Sequence, residues 1–272
     1  MKELSIAVVT WNCRNFIERF VTELERSLRA RDEYEVLICD NASTDGTADL
    51  LATSLPRHFR LVRSEENLGF ARGNNLLIRQ AKFGQIALLN PDVFDFPEDF
   101  WTIIEAEMAH VGADVGFVKL RNPDGSFQDC IGNFPSPTRA ITSLIGKKID
   151  FSTIGVATRV EVGIMAFMMT NKKVIDEIGL IDEDFHMYCE DVEWCFRATR
   201  AGKSIMYFPE LSLTHLGGAS AESRWKGLRK ELIKYRSEGL FVRKHFHGIG
   251  FLLMMMINLL KRVIIRIRII CA

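Results

Sequence analysis

The sequence lacks net charge, with 35 Lys and Arg against 35 Asp and Glu over 272 residues. It also lacks a CxxC pair, an internal repeat, a low-complexity tract and an apolar leader, since Met1-Lys2-Glu3-Leu4-Ser5 runs straight into a strand-like segment. The six scattered cysteines (13, 39, 130, 189, 195 and 271) read as reduced thiols, several in apolar runs, and not as a disulfide framework or zinc site. The missing leader predicts a body that stays in the cytoplasm. What is present is the make-up of a globular chain, 47% hydrophobic and 26% charged, long enough for one large α/β domain with an extension.

The neutrality is a sum of two opposed regions. Residues 224–272 hold 12 basic and 2 acidic groups, whereas residues 1–223 hold 23 basic and 33 acidic. An acidic body with a basic tail does not suit general nucleic-acid binding; a tail that meets anionic lipid fits better. The expected division is therefore a body over 1–223 and a tail over 224–272.

Short apolar runs at Ile6–Val9, Val36–Cys39, around Leu61-Val62 and at Ile86–Leu89 read as buried strands. They alternate with helical patterns from about Asn15 (Glu18 completing a capping box), over 47–55, over 70–82 and over 97–110. This alternation predicts a mainly parallel sheet with helices on both faces, with ligands beyond the carboxyl ends of the strands. Further strands are expected at 115–118, 164–169 and 204–208, and helices over 172–178 and 190–201, the last stopped by Gly202. Asn122-Pro123-Asp124-Gly125 is a turn signal, and 126–160 reads as a loop-rich insertion.

Polar clusters at Thr10–Asn12, Asp40–Asp45 and Asn90–Asp92 follow strands and should share one cleft. Asp92, beyond a proline that stops the ladder, suits a hard divalent cation; alternatively it caps the helix over 97–110. Asp45-Gly46-Thr47 turns the chain into a helix, while Asp40 follows its strand directly and can point into the cleft. Asn67 through Asn75 open a helix whose amides, with Arg72, suit a phosphate or sugar hydroxyls. Glu190 and Asp191 begin a helix about 100° apart, so one is expected to face the cleft as a base. His215, after a strand and before the flexible segment Leu216-Gly217-Gly218, is a candidate metal ligand because a carboxylate elsewhere needs partners, and Trp194, Cys195 and Phe196 read as core.

Taken together, Thr10-Trp11-Asn12, Asp40-Asn41-Ala42-Ser43, Asn67-Leu68-Gly69-Phe70 with Asn74-Asn75, Asn90-Pro91-Asp92, Asp182 through Arg197, His215 and Ser220 resemble family 2 glycosyltransferases, in their bacterial rhamnosyltransferase-like branch. The resemblance spans roughly residues 4–220 and rests on the order and spacing of the blocks. It implies a GT-A fold, an α/β nucleotide-binding architecture, and inverting transfer from a nucleotide diphosphate-sugar of UDP or dTDP type. It implies that Thr10, Asn12 and Asp40 hold the nucleoside. Asn67, Arg72 and Asn90 join them on the donor side. Asp92 would stand in the metal motif with Mg²⁺ or Mn²⁺, helped by His215. Asp191 would be the base, and Glu190 and His186 would lie on the acceptor side. Two departures bear on the sugar: Met165 where a small glycine is usual, and His186 where an aromatic such as Phe is common.

In the tail, Leu228–Lys244 reads as a basic helix. Ile249–Leu260 is apolar but short of the ~20 residues that span a bilayer. The following cations Lys261, Arg262, Arg266 and Arg268 alternate with Val and Ile, which suits a helix in the membrane interface. A glycan or polyprenyl-linked acceptor at the cytoplasmic leaflet is the expected partner. Two rivals share such a cleft, a nucleotidyltransferase and a non-catalytic nucleotide-sugar binding module. A dinucleotide-dependent oxidoreductase is disfavoured because Thr10-Trp11-Asn12-Cys13-Arg14 stands where the glycine-rich turn would be.

Overall fold

The computed structural model describes residues 3–144, 150–217 and 228–270. Ser220, Cys271 and the expected boundary between 223 and 224 lie outside the described residues. In chain order the elements are β1 (Leu4–Thr10), α1 (Ile17–Leu28), β2 (Tyr34–Asp40), α2 (Thr47–Ser54), β3 (Phe59–Arg63), α3 (Gly69–Gln80) and β4 (Gln85–Leu89). Then follow β5 (Val93–Phe94), α4 (Phe100–Val111), β6 (Val115–Arg121), β7 (Ile131–Gly132), α5 (Pro137–Leu144), β8 (Thr158–Arg159), β9 (Val162–Gly163) and β10 (Phe167–Asn171). The chain continues through α6 (Lys172–Ile178), α7 (Glu190–Arg200), β11 (Ile205–His215), α8 (Leu228–His245) and α9 (Gly248–Ile270).

The central sheet has the order β3-β2-β1-β4-β10-β6-β11-β5, with β8 beside β11. The four strands of the first half are parallel, and Thr10 pairs with Asp40 and Asp40 with Arg63, so their carboxyl ends finish level. Beyond β4 the sheet is mixed: β10 runs antiparallel to β4 and β6, and β11 runs parallel to β6. The expected mainly parallel sheet thus holds for the first half, where every crossover carries a helix, and gives way to mixed pairing in the second. Buried β1, β2 and β4 side chains such as Ile6, Val8, Leu37, Ile38 and Leu88 form one continuous core with Phe100, Trp101 and Phe167. Cys13, Cys39, Cys130, Cys189 and Cys195 are free thiols.

Three local expectations need correction. Glu18 completes no capping box: α1 has no side-chain cap, and its first amides, Phe16 N and Ile17 N, donate to Cys13 O at 3.1 and 3.0 Å. The insertion 126–160 contains α5 and two two-residue strands, β7 and β8, too short to leave a periodic trace. Finally, the last strand does not end at Phe208. Its register shifts between Phe208 and Ser212, around Pro209, and pairing then resumes through His215. A bulge admits proline and restores the ladder, so Thr214 and His215 belong to the strand.

The two tail helices pack on the body and on each other. Phe241 of α8 meets Phe196 of α7 edge to face at 5.4 Å, and Lys244 Nζ lies 2.5 and 2.6 Å from carboxylate oxygens of Asp182 and Asp184. His245 sits against Phe196 and Phe241, with Nε2 3.2 Å from Glu193. Helix α9 returns antiparallel along α8, its Asn258 donating to Tyr235 O at 2.8 Å and Lys261 pairing with Glu238 at 3.3 Å. Its continuous length corrects the reading of a short apolar run: Gly248–Ile267, of mean hydropathy 1.8, is long and apolar enough to cross a membrane by length and composition. Met254 and Ile257 are buried, whereas Ile249, Leu252, Met256, Leu259, Leu260, Val263 and Ile267 form an exposed stripe along the helix.

Candidate active site

The loops after β1 and β2 are stitched together. Asn12, at φ 52°, accepts from Thr44 N through Oδ1 at 2.9 Å, while its own amide donates to Ser43 Oγ at 2.9 Å. Asp40 is buried; its Oδ1 accepts from Thr10 Oγ1 at 3.3 Å and its Oδ2 from Ser43 N at 3.0 Å. Asn41 then reaches the next loop: its Oδ1 accepts from Leu68 N at 2.7 Å, and its Nδ2 donates to Asn67 Oδ1 and Gly69 O, both at 3.2 Å. Asp45 Oδ1 accepts from Thr47 N and Thr47 Oγ1, the structural role expected of it.

These loops border a cavity of about 560 Å³ at the carboxyl edge of the sheet. Asn67, Asn90, Asp92, His186, Glu190 and His215 line it, as do Trp11 and Asn41. Thr10, Asn12, Asp40, Arg72 and Asp191 are not among its lining residues. Asp40 cannot freely point into the cleft as expected, because its carboxylate already receives two donors and braces the loops. Arg72 sits half-exposed, 3.6 Å from Glu66 and 3.9 Å from Glu183. The cavity-facing start of its helix is instead Gly69-Phe70, while Gly73 faces the sheet, where an added Cβ would come within 3.0 Å of Val9.

Gly69 has a further reason to be glycine. Its φ is +76°, and an added Cβ would lie 3.3 Å from the carbonyl of His186. The acidic loop is thereby drawn close over α3. Asn75, buried beneath it, donates from Nδ2 to Ile181 O at 2.8 Å and Glu183 Oε1 at 2.9 Å, and its Oδ1 accepts from Ile181 N at 3.0 Å.

Pairing of β5 with β11 sets Val93 opposite His215 and so brings His215 beside Asp92. His215 Nε2 lies 3.2 Å from Asp92 Oδ1 and has no hydrogen-bond partner. On the far side of the ring, Nδ1 is 2.6 Å from Gln128 Oε1. The Gln128 amide nitrogen donates to Asn122 Oδ1 and His215 O, which leaves its oxygen to accept from Nδ1–H. With Nδ1 held by Gln128, Nε2 is the ring nitrogen turned toward Asp92. Asp92 does not cap a helix, since α4 begins after Asp99.

Across the cavity, Tyr188 and Cys189 both have positive φ, 66° and 68°, just before α7 begins at Glu190. Non-glycine residues held there store strain. Glu190 Oε2 and Tyr188 Oη are buried without a hydrogen-bond partner. Asp191 Oδ1 accepts from Val192 N at 2.8 Å. Burial pushes both the Glu190 and Asp191 carboxyls up from the ordinary range, and the neighbouring Asp191 charge raises Glu190 further. Of the two expected departures, Met165 is buried in the core and Ile164 is the residue at the cavity wall, while His186 does line it. Trp194 and Cys195 are core, as read.

Reasoning from sequence missed Gln128, Asp129, Tyr188, Lys230 and Lys234, all of which line the cavity. The two lysines were visible only as part of a basic helix, and Gln128 only as one polar residue of an insertion.

The profile of Glycosyl transferase family 2 matches residues 5–173, more than half of the chain. The chain is 27% identical over 236 residues to an N-acetylglucosaminyl-diphospho-decaprenol L-rhamnosyltransferase of Mycobacterium tuberculosis, covering 78% of this chain and 75% of that protein. It is 27% identical over 213 residues to the rhamnosyltransferase WbbL of Escherichia coli, covering 73% and 79%. Among solved structures, the fold is similar to the mannosyltransferase PcManGT from Pyrobaculum calidifontis in complex with GDP-Man and Mn²⁺. The TM-score is 0.64 at 14% identity, over 97% of this chain and 73% of that one. It is similar also to S. aureus TarS in complex with UDP-GlcNAc, at TM-score 0.59 and 15% identity over 95% and 72%. Against a longer TarS chain it spans 39% of the length. These structural likenesses establish a GT-A-like α/β fold.

Proposed function

Since the chain belongs to glycosyl transferase family 2 and is a glycosyltransferase, we propose that it moves a hexose or deoxyhexose from a UDP- or dTDP-sugar to a hydroxyl of a lipid-linked glycan, in cell-surface polysaccharide assembly. The observation that carries this reading is one cavity bounded by two unlike carboxylate groups, Asp92 with His215 and Glu190 followed by Asp191. The rhamnosyltransferase relatives support a deoxyhexose donor and a lipid diphosphate-linked acceptor.

The residues fit a divalent cation. Asp92 supplies a buried carboxylate, and His215 supplies an Nε2 without a hydrogen-bond partner on a ring oriented by Gln128. The two atoms are 3.2 Å apart, near enough that both residues would hold one cation. Among the described residues no group of three His, Cys, Asp or Glu side chains converges; two protein ligands leave the remaining positions to water and phosphate oxygens, as hard cations in phosphate sites accept. Such an ion, Mg²⁺ or Mn²⁺, would neutralise charge on the departing diphosphate.

In the proposed mechanism Asp191, which follows the cavity-lining Glu190 without itself lining the cavity, takes the proton of an acceptor hydroxyl that reaches past Glu190, as that oxygen bonds to the anomeric carbon. The bond from the anomeric carbon to the diphosphate oxygen breaks on the opposite side, and a nucleoside diphosphate leaves with the electron pair. The raised carboxyl suits a base that works near neutral pH. Glu190, with an unpartnered oxygen at the cavity, orients the acceptor. Thr10, Asn12 and Asp40 serve the nucleoside by bracing the loop that carries Trp11 and Asn41. Asn67 and Asn90 complete the donor wall.

The exposed apolar stripe of α9 and the flanking cations Arg262 and Arg266 support an interfacial membrane contact, peripheral on the cytoplasmic face, with 224–272 as the anchoring tail. The internal pair Lys261–Glu238 and the packed face along α8 favour lying on the surface over spanning it. A product assay tests the reaction: UDP- or dTDP-sugar with a prenyl diphosphate-linked sugar should release the nucleoside diphosphate. Release of pyrophosphate would instead mark a nucleotidyltransferase, and nucleotide-sugar binding with no turnover a binding module.

A further inference from the structure

We propose that Lys230 and Lys234, two residues of the tail outside the family match, bind the diphosphate that joins the acceptor sugar to its lipid; this rests on the lipid-linked acceptor proposed above. The described cavity wall is rich in carboxylates, with Asp92, Asp129 and Glu190, and its only Lys or Arg side chains are Lys230 and Lys234 of α8. They are four residues apart and so share one helix face. Their position is built, not incidental. Ser237 Oγ donates to Met187 O at 2.8 Å, and Lys244 is tied to Asp182 and Asp184, so α8 is fastened to the loop that leads into α7. Lys234 Nζ lies 5.6 Å from the centre of the Tyr188 ring and 3.4 Å from Glu231 on its own helix. Lys230 makes no ion pair among the described residues.

Two features of the fold assign these cations to the acceptor. First, Lys234 stands over Tyr188, next to Glu190 and Asp191, whereas the donor diphosphate is already served by the Asp92–His215 pair on strands β5 and β11 and the turn before them. Second, α9 returns antiparallel along α8, so Arg262 and Arg266 come level with Lys234 and Lys230, beside the exposed stripe that includes Val263 and Ile267. The protein therefore offers a polar pocket, a pair of ammonium groups at its wall and, on the helix packed beside them, an exposed apolar surface. A sugar joined through diphosphate to a prenyl chain has its parts in the same order. An ammonium pair is matched to a dianionic group far better than to a neutral glycoside.

The test uses the full chain and its K230Q/K234Q variant. Farnesyl diphosphate, a neutral farnesyl glycoside and UDP or dTDP with Mn²⁺ are each titrated against intrinsic tryptophan fluorescence. We expect farnesyl diphosphate to bind the variant at least about tenfold more weakly than wild type, with the neutral lipid and the nucleotides unchanged. K230R/K234R, which keeps both charges, should retain most of the affinity. Equal farnesyl diphosphate affinity in wild type and K230Q/K234Q overturns the proposal. A loss confined to UDP or dTDP also overturns it and assigns the lysines to the donor. Lysine-dependent binding of farnesyl diphosphate without sugar transfer to any lipid-linked acceptor would sink the proposed reaction and leave this site standing. Transfer with an unchanged acceptor KM in the variant would do the reverse.

Discussion

The two carboxylate regions of the cavity are built on opposite plans. His215 ends β11 and Asp92 stands in the turn just before the paired β5, and the imidazole is oriented by Gln128 with Nε2 turned toward the carboxylate. Glu190 and Asp191 sit at a helix start behind two left-handed residues, with an unpartnered carboxylate oxygen and an unpartnered phenol beside them. In the proposed mechanism the first would be a preset holder for charge that exists before and after reaction. The second is strained and unsatisfied, as expected where a substrate completes the hydrogen bonding.

Removing the proton acceptor should separate the two regions most sharply. Asp191→Asn is expected to lower transfer by about 10²–10⁴-fold or more while UDP or dTDP binding with Mn²⁺ is unchanged, as read by turnover and titration calorimetry. If transfer survives, Glu190 becomes the base to examine. On the other wall, Gln128→Ala frees the His215 ring and should weaken Mn²⁺ affinity by about 10–100-fold, with the acceptor KM unmoved. An unchanged Mn²⁺ affinity would remove His215 from the ligand set.

The pH response should also differ. Raised Glu190 and Asp191 carboxyls stay protonated in the fold where the unfolded chain is already ionised. The stability they confer is complete below the ordinary carboxyl range and is lost as pH rises through the raised values. Between about pH 5 and pH 8, transfer should therefore rise while Tm falls. In E190Q/D191N the downward slope of Tm should flatten; a slope as steep as wild type would assign it to other groups.

Asn75→Ala removes three hydrogen bonds under the acidic loop, two of them buried, and should cost about 1–3 kcal/mol by urea unfolding. It should raise the acceptor KM before it touches Mn²⁺ binding. The mildest expected effect is on location: a chain ending at Gly248 should lose anionic-vesicle binding yet keep its nucleotide affinity. Vesicle binding equal to the full chain would move the anchor elsewhere.

Much of the body was readable from residues alone. The buried runs at β1, β2 and β4 and the helix over 172–178 were located from local pattern, because a strand buried on both faces needs a short unbroken apolar stretch. The bulged part of β11 was not readable, since Pro209 looks like a strand's end until β6 supplies the partner that carries the ladder past it. For the same reason His215 looked like a loop residue. The sequence could suggest Asp92 and His215 as candidates, but not that Gln128 would turn the imidazole between them.

The tail shows where local information stops. Its charge and apolar content, and hence its suitability for an anionic surface, are properties of composition that no fold can alter. The side of α8 that Lys230 and Lys234 occupy depends on Ser237, Phe241 and Lys244 gripping elements roughly 40 to 60 residues earlier in the chain. The sequence by itself determined the parallel half of the sheet, the polar strand ends and the opposed charges of body and tail, because these follow from patterns within a few residues. Only the tertiary structure decided which carboxylates meet a histidine, which stay unpaired and which cations look into the cavity, because those are contacts between distant segments.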